Sequence, residues 1–317
     1  MVGGARALGL VVGAAADRCL GDPRRGHPVA LFGSLASRLE QRTYADSRAA
    51  GVAHTGLLVG GAVLSAEVAL VAARGGARGR SRWQFWSEAA LVGASTYVVL
   101  GGTSLVREGE AMAGLLTAGD VPGARRRLGH LCARDASGLE PEDLARATVE
   151  SVAENTSDAV VAPLFWGAVA GVPGLLGYRA ANTLDAMVGY RSPRHARFGW
   201  AAARLDDLLN LLPARLAALL VFLVTGRREA LTTWRRDARL HPSPNAGPVE
   251  ASYAGALGVR LGGTNTYDGA VDARGVLGDG REVEVGDVAR ANDLSRKVSV
   301  AALVACAALA LASGGRR

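Results

Sequence analysis

Apolar runs of bilayer-crossing length constrain this 317-residue chain more than any other feature. A membrane-spanning helix needs about 20 mainly apolar residues. Residues 52–73 meet that length with Glu67 as the only charge. Residues 83–106 meet it too, with Trp83 and Trp86 placed as interfacial anchors. Residues 160–178 are apolar but interrupted by Pro163, Pro173 and several glycines. Residues 208–225 are apolar apart from Asn210 and Arg215, and 298–313 form a shorter run. A single such run would fit the buried helix of a soluble α-protein. Several in succession read as a polytopic helical membrane protein. Arg6 precedes a further apolar stretch, residues 7–16. It reads as an uncleaved first membrane helix rather than a signal peptide, because more hydrophobic segments follow.

Composition agrees. The chain is 49% hydrophobic but only 5% aromatic, with 42 glycines, and small residues suit close helix approach in lipid. The net charge of +7 is carried almost wholly by arginine, Lys297 being the only lysine. Arginine clusters at 24–25, 125–127 and 235–236 fit membrane flanks or anionic ligands. No basic stripe is interleaved with aromatics, which argues against nucleic acid. Cys19, Cys132 and Cys306 lack metal-ligand spacing and read as free thiols. Positive residues flank both ends of most spans, so orientation is not assigned.

The expected fold is mainly α, with long polar loops and a small β-hairpin near residues 275–285, signalled by Asp279-Gly280 between alternating residues. Residues 109–157 read as helical hairpins, with Pro141 at a helix start. The whole chain is expected to form one membrane-embedded domain. Within it, 226–297 would be a polar, largely extramembrane insertion between the last two apolar helices.

Three polar motifs could carry chemistry. In Glu150-Ser151-Val152-Ala153-Glu154-Asn155-Thr156-Ser157-Asp158, a helix would put Glu150, Glu154 and Asp158 on one face. Carboxylates so spaced suit Mg²⁺, which takes one or two of them plus nucleotide phosphates. A solvated helix face at a membrane boundary is the competing reading. Asn182 and Asp185 stand three apart just after an apolar run, where a carboxylate at mid-bilayer would be costly and argues for a role, a polar surface loop being the competing reading. Asp206 and Asp207 stand at a span entrance, with Arg204 at helical spacing to pair Asp207. Two rigid loops, Asp22-Pro23…His27-Pro28 and His241-Pro242-Ser243-Pro244-Asn245, set a histidine beside other polar groups. Gly262-Gly263-Thr264-Asn265 is at most a weak phosphate cradle.

At these motifs the chain resembles the CobD/CbiB family of adenosylcobinamide-phosphate synthases. The resemblance runs through Gly21-Asp22-Pro23…His27-Pro28-Val29, Arg134-Asp135, Glu150 to Thr156, and Asn182-Thr183-Leu184-Asp185-Ala186-Met187-Val188-Gly189-Tyr190. It continues through Phe198-Gly199-Trp200, Arg204-Leu205-Asp206-Asp207, His241 to Gly247 and Gly255-Ala256-Leu257-Gly258-Val259, in that order. Two departures are Ala159 after Asp158, where the family pattern has glycine, and Gly247-Pro248-Val249-Glu250, where it reads closer to Gly-Trp-Pro-Glu. The resemblance implies an ATP-dependent ligase of the bacterial inner membrane. It would join adenosylcobyric acid, a corrinoid, to aminopropanol or its phosphate.

Amide formation from a carboxylate needs an activated acyl group, commonly an acyl phosphate. The expected roles follow from residue type. Glu154, Asp158 and Asp185 would hold Mg²⁺ on ATP, and Asn155 and Asn182 would orient phosphate or substrate. Arg191 and Arg204 would balance phosphoryl charge. His27 or His241 would take the ammonium proton. Asp22, Asn245, Asp206 and Asp207 are further binding candidates. Residues 160–178 are expected to be broken or re-entrant, so that the Glu154 and Asp185 motifs share one polar cavity. A corrinoid or metal transporter and a non-catalytic scaffold are the alternatives, and homo-oligomer formation is left open.

Overall fold

The structure, a computed structural model, describes residues 2–23, 26–75, 82–132, 134–190, 192–267 and 270–314. In chain order come α1 (Val2–Leu20), α2 (Pro28–Thr43), α3 (Arg48–Arg74), α4 (Arg82–Val99), α5 (Gly102–Thr117), α6 (Val121–Leu128) and α7 (Pro141–Thr156). A π turn (Ser157–Val161) leads into α8 (Ala162–Leu184), and a second π turn (Asp185–Gly189) follows it. The remainder comprises α9 (His195–Phe198), α10 (Trp200–Thr225), α11 (Arg228–Asp237), a 3-10 turn (Ala238–Leu240), α12 (Ala246–Leu257), strands β1 (Leu261–Tyr267) and β2 (Ala270–Leu277), and α13 (Gly286–Gly314).

Among the described residues five helical segments are long and apolar enough to cross a membrane: Arg48–Ala73, Arg82–Thr117, Pro141–Gly189, Trp200–Thr225 and Gly286–Gly314. The chain is a multi-pass membrane protein. Large apolar side chains stay exposed along these segments, among them Leu64, Val68, Leu212, Leu223, Val300 and Val304, as lipid contact requires. Trp83 and Trp86 are exposed at the start of their span. The helix expected at the N-terminus is present as α1. Its three charged residues, Arg6, Asp17 and Arg18, set it apart from the five.

Helix starts follow local chemistry. The Ser47 hydroxyl accepts the Ala50 N–H at 3.2 Å, and Asp120 accepts the Gly123 N–H at 2.9 Å. Pro141 opens α7, followed by Glu142 and Asp143 in the first turn, where the helix dipole favours them. The interruption expected in residues 160–178 is real: Gly171, inside α8, has φ 65° and ψ −141°, and Pro173 follows.

The chain divides into two compact units. The first comprises Met1–Gly101, Ala162–Asn210 and Leu303–Arg317. Here α1 lies against α4 through glycines: a Cβ at Gly9 would collide with Val92, and one at Gly13 with Thr96. The Arg6 guanidinium donates to the Val169 carbonyl at 2.8 Å, beside the break at Gly171, and lies 3.9 Å from the buried Glu88 carboxylate. A core of Ala36, Leu58, Leu184, Val188, Phe198 and Ala202 joins α2, α3, α9 and α10 to the end of α8.

The second unit comprises Gly102–Val161 and Leu211–Ala302. Every residue of α12 is buried. The two-stranded antiparallel sheet sits earlier than expected: Leu261 pairs with Leu277 and Tyr267 with Ala270. The signal at Asp279-Gly280 marks instead the turn after β2. Gly278 there takes φ 86°, and its N–H donates to Asp237 at 2.8 Å, which ends the ladder.

Candidate functional site

In the first unit the Asn182 and Asp206 motifs meet. Asn182 Nδ2 donates to Asp206 Oδ1 at 3.3 Å, bridging α8 and α10. Asn210, one turn beyond Asp206, donates to its Oδ2 at 3.0 Å. The Tyr178 hydroxyl donates to Asn210 Oδ1 at 2.9 Å, and Arg179 Nη1 donates to Asn182 Oδ1 at 3.3 Å. Asp206 and Asn210 are buried, Asn182 and Arg179 half-buried. The result is a continuous polar chain, Arg179–Asn182–Asp206–Asn210–Tyr178, inside membrane-crossing helices. Buried polar groups so placed must be satisfied by one another, which locks side-chain directions.

Asp185, one turn past Asn182, opens the second π turn and is half-buried. Its carboxylate lies over Gly189, where a Cβ would collide with Oδ1. That close approach explains the glycine ending Asp185-Ala186-Met187-Val188-Gly189. Arg204 and Asp207 pair with each other at 3.1 Å, three residues apart, and the arginine side chain is 58% exposed. Arg191 lies outside the described residues.

The two histidine loops share a design. His27 Nδ1 accepts the Val29 N–H at 3.2 Å, and His241 Nδ1 accepts the Ser243 N–H at 3.0 Å. In each the histidine precedes a proline, which has no N–H, so the ring binds the next available donor. The other ring nitrogen faces a carboxylate: Asp22 at 3.7 Å from His27 Nε2, Glu250 at 3.6 Å from His241 Nε2. They differ in access. The His241 and Glu250 side chains are 3% and 1% exposed, those of His27 and Asp22 19% and 32%. The His27 loop belongs to the first unit, where the Tyr97 hydroxyl pins it through the Gly21 carbonyl at 3.0 Å.

The second unit carries Glu154, Asn155, Asp158, His241 and Asn245. Glu150 does not share the exposure of the acidic face expected of it. Its buried carboxylate takes Arg134 at 2.5 Å, Arg146 at 3.4 Å and the Gly262 N–H at 2.8 Å, tying α7 to β1. Glu154 and Asp158 are half-buried, and Asp158 already stands in the first π turn. Asn155 Nδ2 donates to the Ser151 carbonyl of its own helix at 2.9 Å. One residue on, the Thr156 hydroxyl meets Ser295 at 2.7 Å and Tyr253 at 3.2 Å. Asn245 accepts from Arg215 at 3.0 Å. Among the described residues no group of three or more His, Cys, Asp or Glu side chains is placed to hold a metal ion.

Comparison with known proteins names the family. A model described as "CobD/Cbib protein" matches residues 10–295. The chain belongs to the CobD/Cbib family. It is 53% identical over 304 residues to "Cobalamin biosynthesis protein CobD" of Mycobacterium tuberculosis, covering 94% of both chains. The proteins of the same name from Stutzerimonas stutzeri and Rhodobacter capsulatus are 46% and 42% identical, each over about nine-tenths of both chains. No solved structure matches. This is a family of cobalamin biosynthesis, and the present member is a multi-pass membrane protein.

Arg179, Tyr178, Asn210, Arg215 and Glu250 were not singled out from the sequence as site residues. Asn210 had a signal, being four residues past Asp206 inside an apolar run. The others acquire meaning only through the partners they meet: Asn210 for Tyr178, Asn182 for Arg179, Asn245 for Arg215 and His241 for Glu250.

Proposed function

We propose that this CobD/Cbib protein joins the carboxylate of adenosylcobyric acid to (R)-1-aminopropan-2-ol or its O-phosphate, using ATP, at the bacterial inner membrane. The carboxylate oxygen attacks the γ-phosphorus, ADP leaves, and an acyl phosphate forms. The amine nitrogen then attacks the acyl carbon, phosphate leaves, and the ammonium loses one proton. The observation that carries this reading is the largely buried Arg179–Asn182–Asp206–Asn210–Tyr178 chain in a member of a cobalamin-biosynthesis family. Such a chain presents amide and guanidinium groups in fixed directions, which suits phosphate and amide recognition.

Asn182 and Arg179 orient the phosphoryl group or the corrinoid side chain. Asp206 is the group that aims Asn182. His27, the more accessible of the two histidines, takes the ammonium proton, with Asp22 beside it. His241, held against Glu250 and almost wholly buried, orders the 241–245 loop instead. Glu154 and Asp158 supply carboxylates for Mg²⁺ in the second unit, and Asp185 is the candidate in the first. The metal would neutralise developing phosphate charge.

The test is direct. Purified protein in lipid nanodiscs receives Mg-ATP, adenosylcobyric acid and each amine, and products are weighed by mass spectrometry. A corrinoid amide appearing with equal ADP is expected. Absence of amide with both amines refutes the ligase. Transport is a second reading, favoured by the break at Gly171 and the Arg6–Glu88 pair between helices α1 and α4. Corrinoid accumulation in liposomes without amide formation would establish it.

A further inference from the structure

In the first unit a cavity of about 570 Å³ lies among α2, α3, α4 and α8. Its lining is almost wholly apolar, including Phe32, Leu35, Leu57, Gly61 and Val99, with Arg179 at one side. That volume is typical of a ligand site. Leu35, Leu57 and Gly61 are exposed as well as lining, so the cavity opens sideways. It opens along α3, a membrane-crossing segment of which only 17% of the apolar window is buried. The slot follows α2 from Pro28 to Leu39, about 16 Å at 1.5 Å per residue.

The rim is charged. Helix α2 is not among the membrane-crossing segments: Leu31 and Leu35 are 61% and 57% exposed, and Arg38 and Arg42, further along the same face, are exposed too. Exposed leucines and arginines on one short helix fit the boundary between acyl chains and headgroups. Arg38 stands three residues past Leu35 and Arg42 three past Leu39, so each cation sits within a turn of a cavity-lining leucine. Basic groups at that depth attract anionic headgroups.

We propose that this cavity is a seat for one anionic phospholipid, an acyl chain filling the slot and the phosphate lying at Arg38 and Arg42. The occupant follows from the lateral opening on a membrane span, the apolar lining and the two exposed arginines within a turn of lining leucines. The seat shares Arg179 with the polar chain through Asn182, but its test reads retained lipid and not amide formation, so the two readings fail separately.

The experiment is native mass spectrometry of the full chain released from nanodiscs containing equal phosphatidylglycerol and phosphatidylcholine. The wild type should retain one phosphatidylglycerol after surrounding lipid is stripped. Gly61→Phe fills the slot from a position where a Cβ meets nothing within 4 Å. It should lower retained lipid at least tenfold. Arg38→Gln with Arg42→Gln, both on the surface, should keep a retained lipid but lose the preference for phosphatidylglycerol. The proposal is overturned if the wild type retains no lipid, retains a corrinoid at this site, or dimerises through it. It is equally overturned if both variants retain phosphatidylglycerol as the wild type does.

Discussion

Replacing Glu150 by leucine should damage the protein more than replacing its partner Arg134, and combining the two should repair part of the damage. Arg134 Nη2 lies 2.5 Å from Glu150 Oε2, and the two side chains are 3% and 4% exposed. Removing one member of a buried pair strands the other charge and costs about 3–5 kcal/mol. The two removals are unequal here. Arg134→Met leaves Glu150 the Gly262 N–H at 2.8 Å and Arg146 at 3.4 Å, so the cost should fall near 3 kcal/mol. Glu150→Leu strips Arg134 of its carboxylate and also orphans the Gly262 N–H, worth about 1–3 kcal/mol more. In the double variant the stranded charge is gone and mainly the second penalty remains. Arg134→Met should therefore recover about 3–5 kcal/mol of the Glu150→Leu loss, and the coupling read from a double-mutant cycle should exceed that recovery by the cost of Arg134→Met alone. The assay is SDS-driven unfolding in mixed micelles, followed by far-UV helicity. Additive losses would refute the view that Glu150 and Arg134 act as one buried unit.

Three other outcomes are expected. Asp206→Ala removes the acceptor shared by Asn182 and Asn210; amide formation should fall by about a hundredfold with helicity intact, as misaimed groups cause. Burial acts to raise the Glu40 carboxyl, but hydrogen bonds from His195 and Arg194 outweigh it and hold the group below its ordinary value. That stabilisation is complete above the unfolded value of ~4.3 and is lost as pH falls through the depressed folded value. Protease protection of the α9 region should fade in that acid window, and Glu40→Gln should flatten the dependence. Gly51→Ala drives a Cβ into the Phe198 carbonyl oxygen; the loss should be about 1–3 kcal/mol, read as a lower SDS midpoint.

The membrane-crossing segments were legible because span length and apolarity are local properties, readable in any 20-residue window. The break near residue 171 was legible for the same reason, glycine and proline being the residues that interrupt helices. The hairpin was displaced because Asp279-Gly280 is a turn signal that serves more than one kind of turn. Gly278 and Asp237 decide which kind it becomes. Within the candidate site, Asn182 and Asp206 were recognised separately from their motifs. The hydrogen bond between them was not, because its partners lie 24 residues apart on different helices.

Local pattern by itself thus determined the class of the protein, its spans and the families of side chain available for chemistry, since hydrophobic length and motif order need no partner to be read. Tertiary structure alone decided what each charged group does. Glu150 became a buried tie and Asp206 the shared acceptor of Asn182 and Asn210 because burial makes a polar atom answer to its nearest neighbour in space, and that neighbour is set by helix packing.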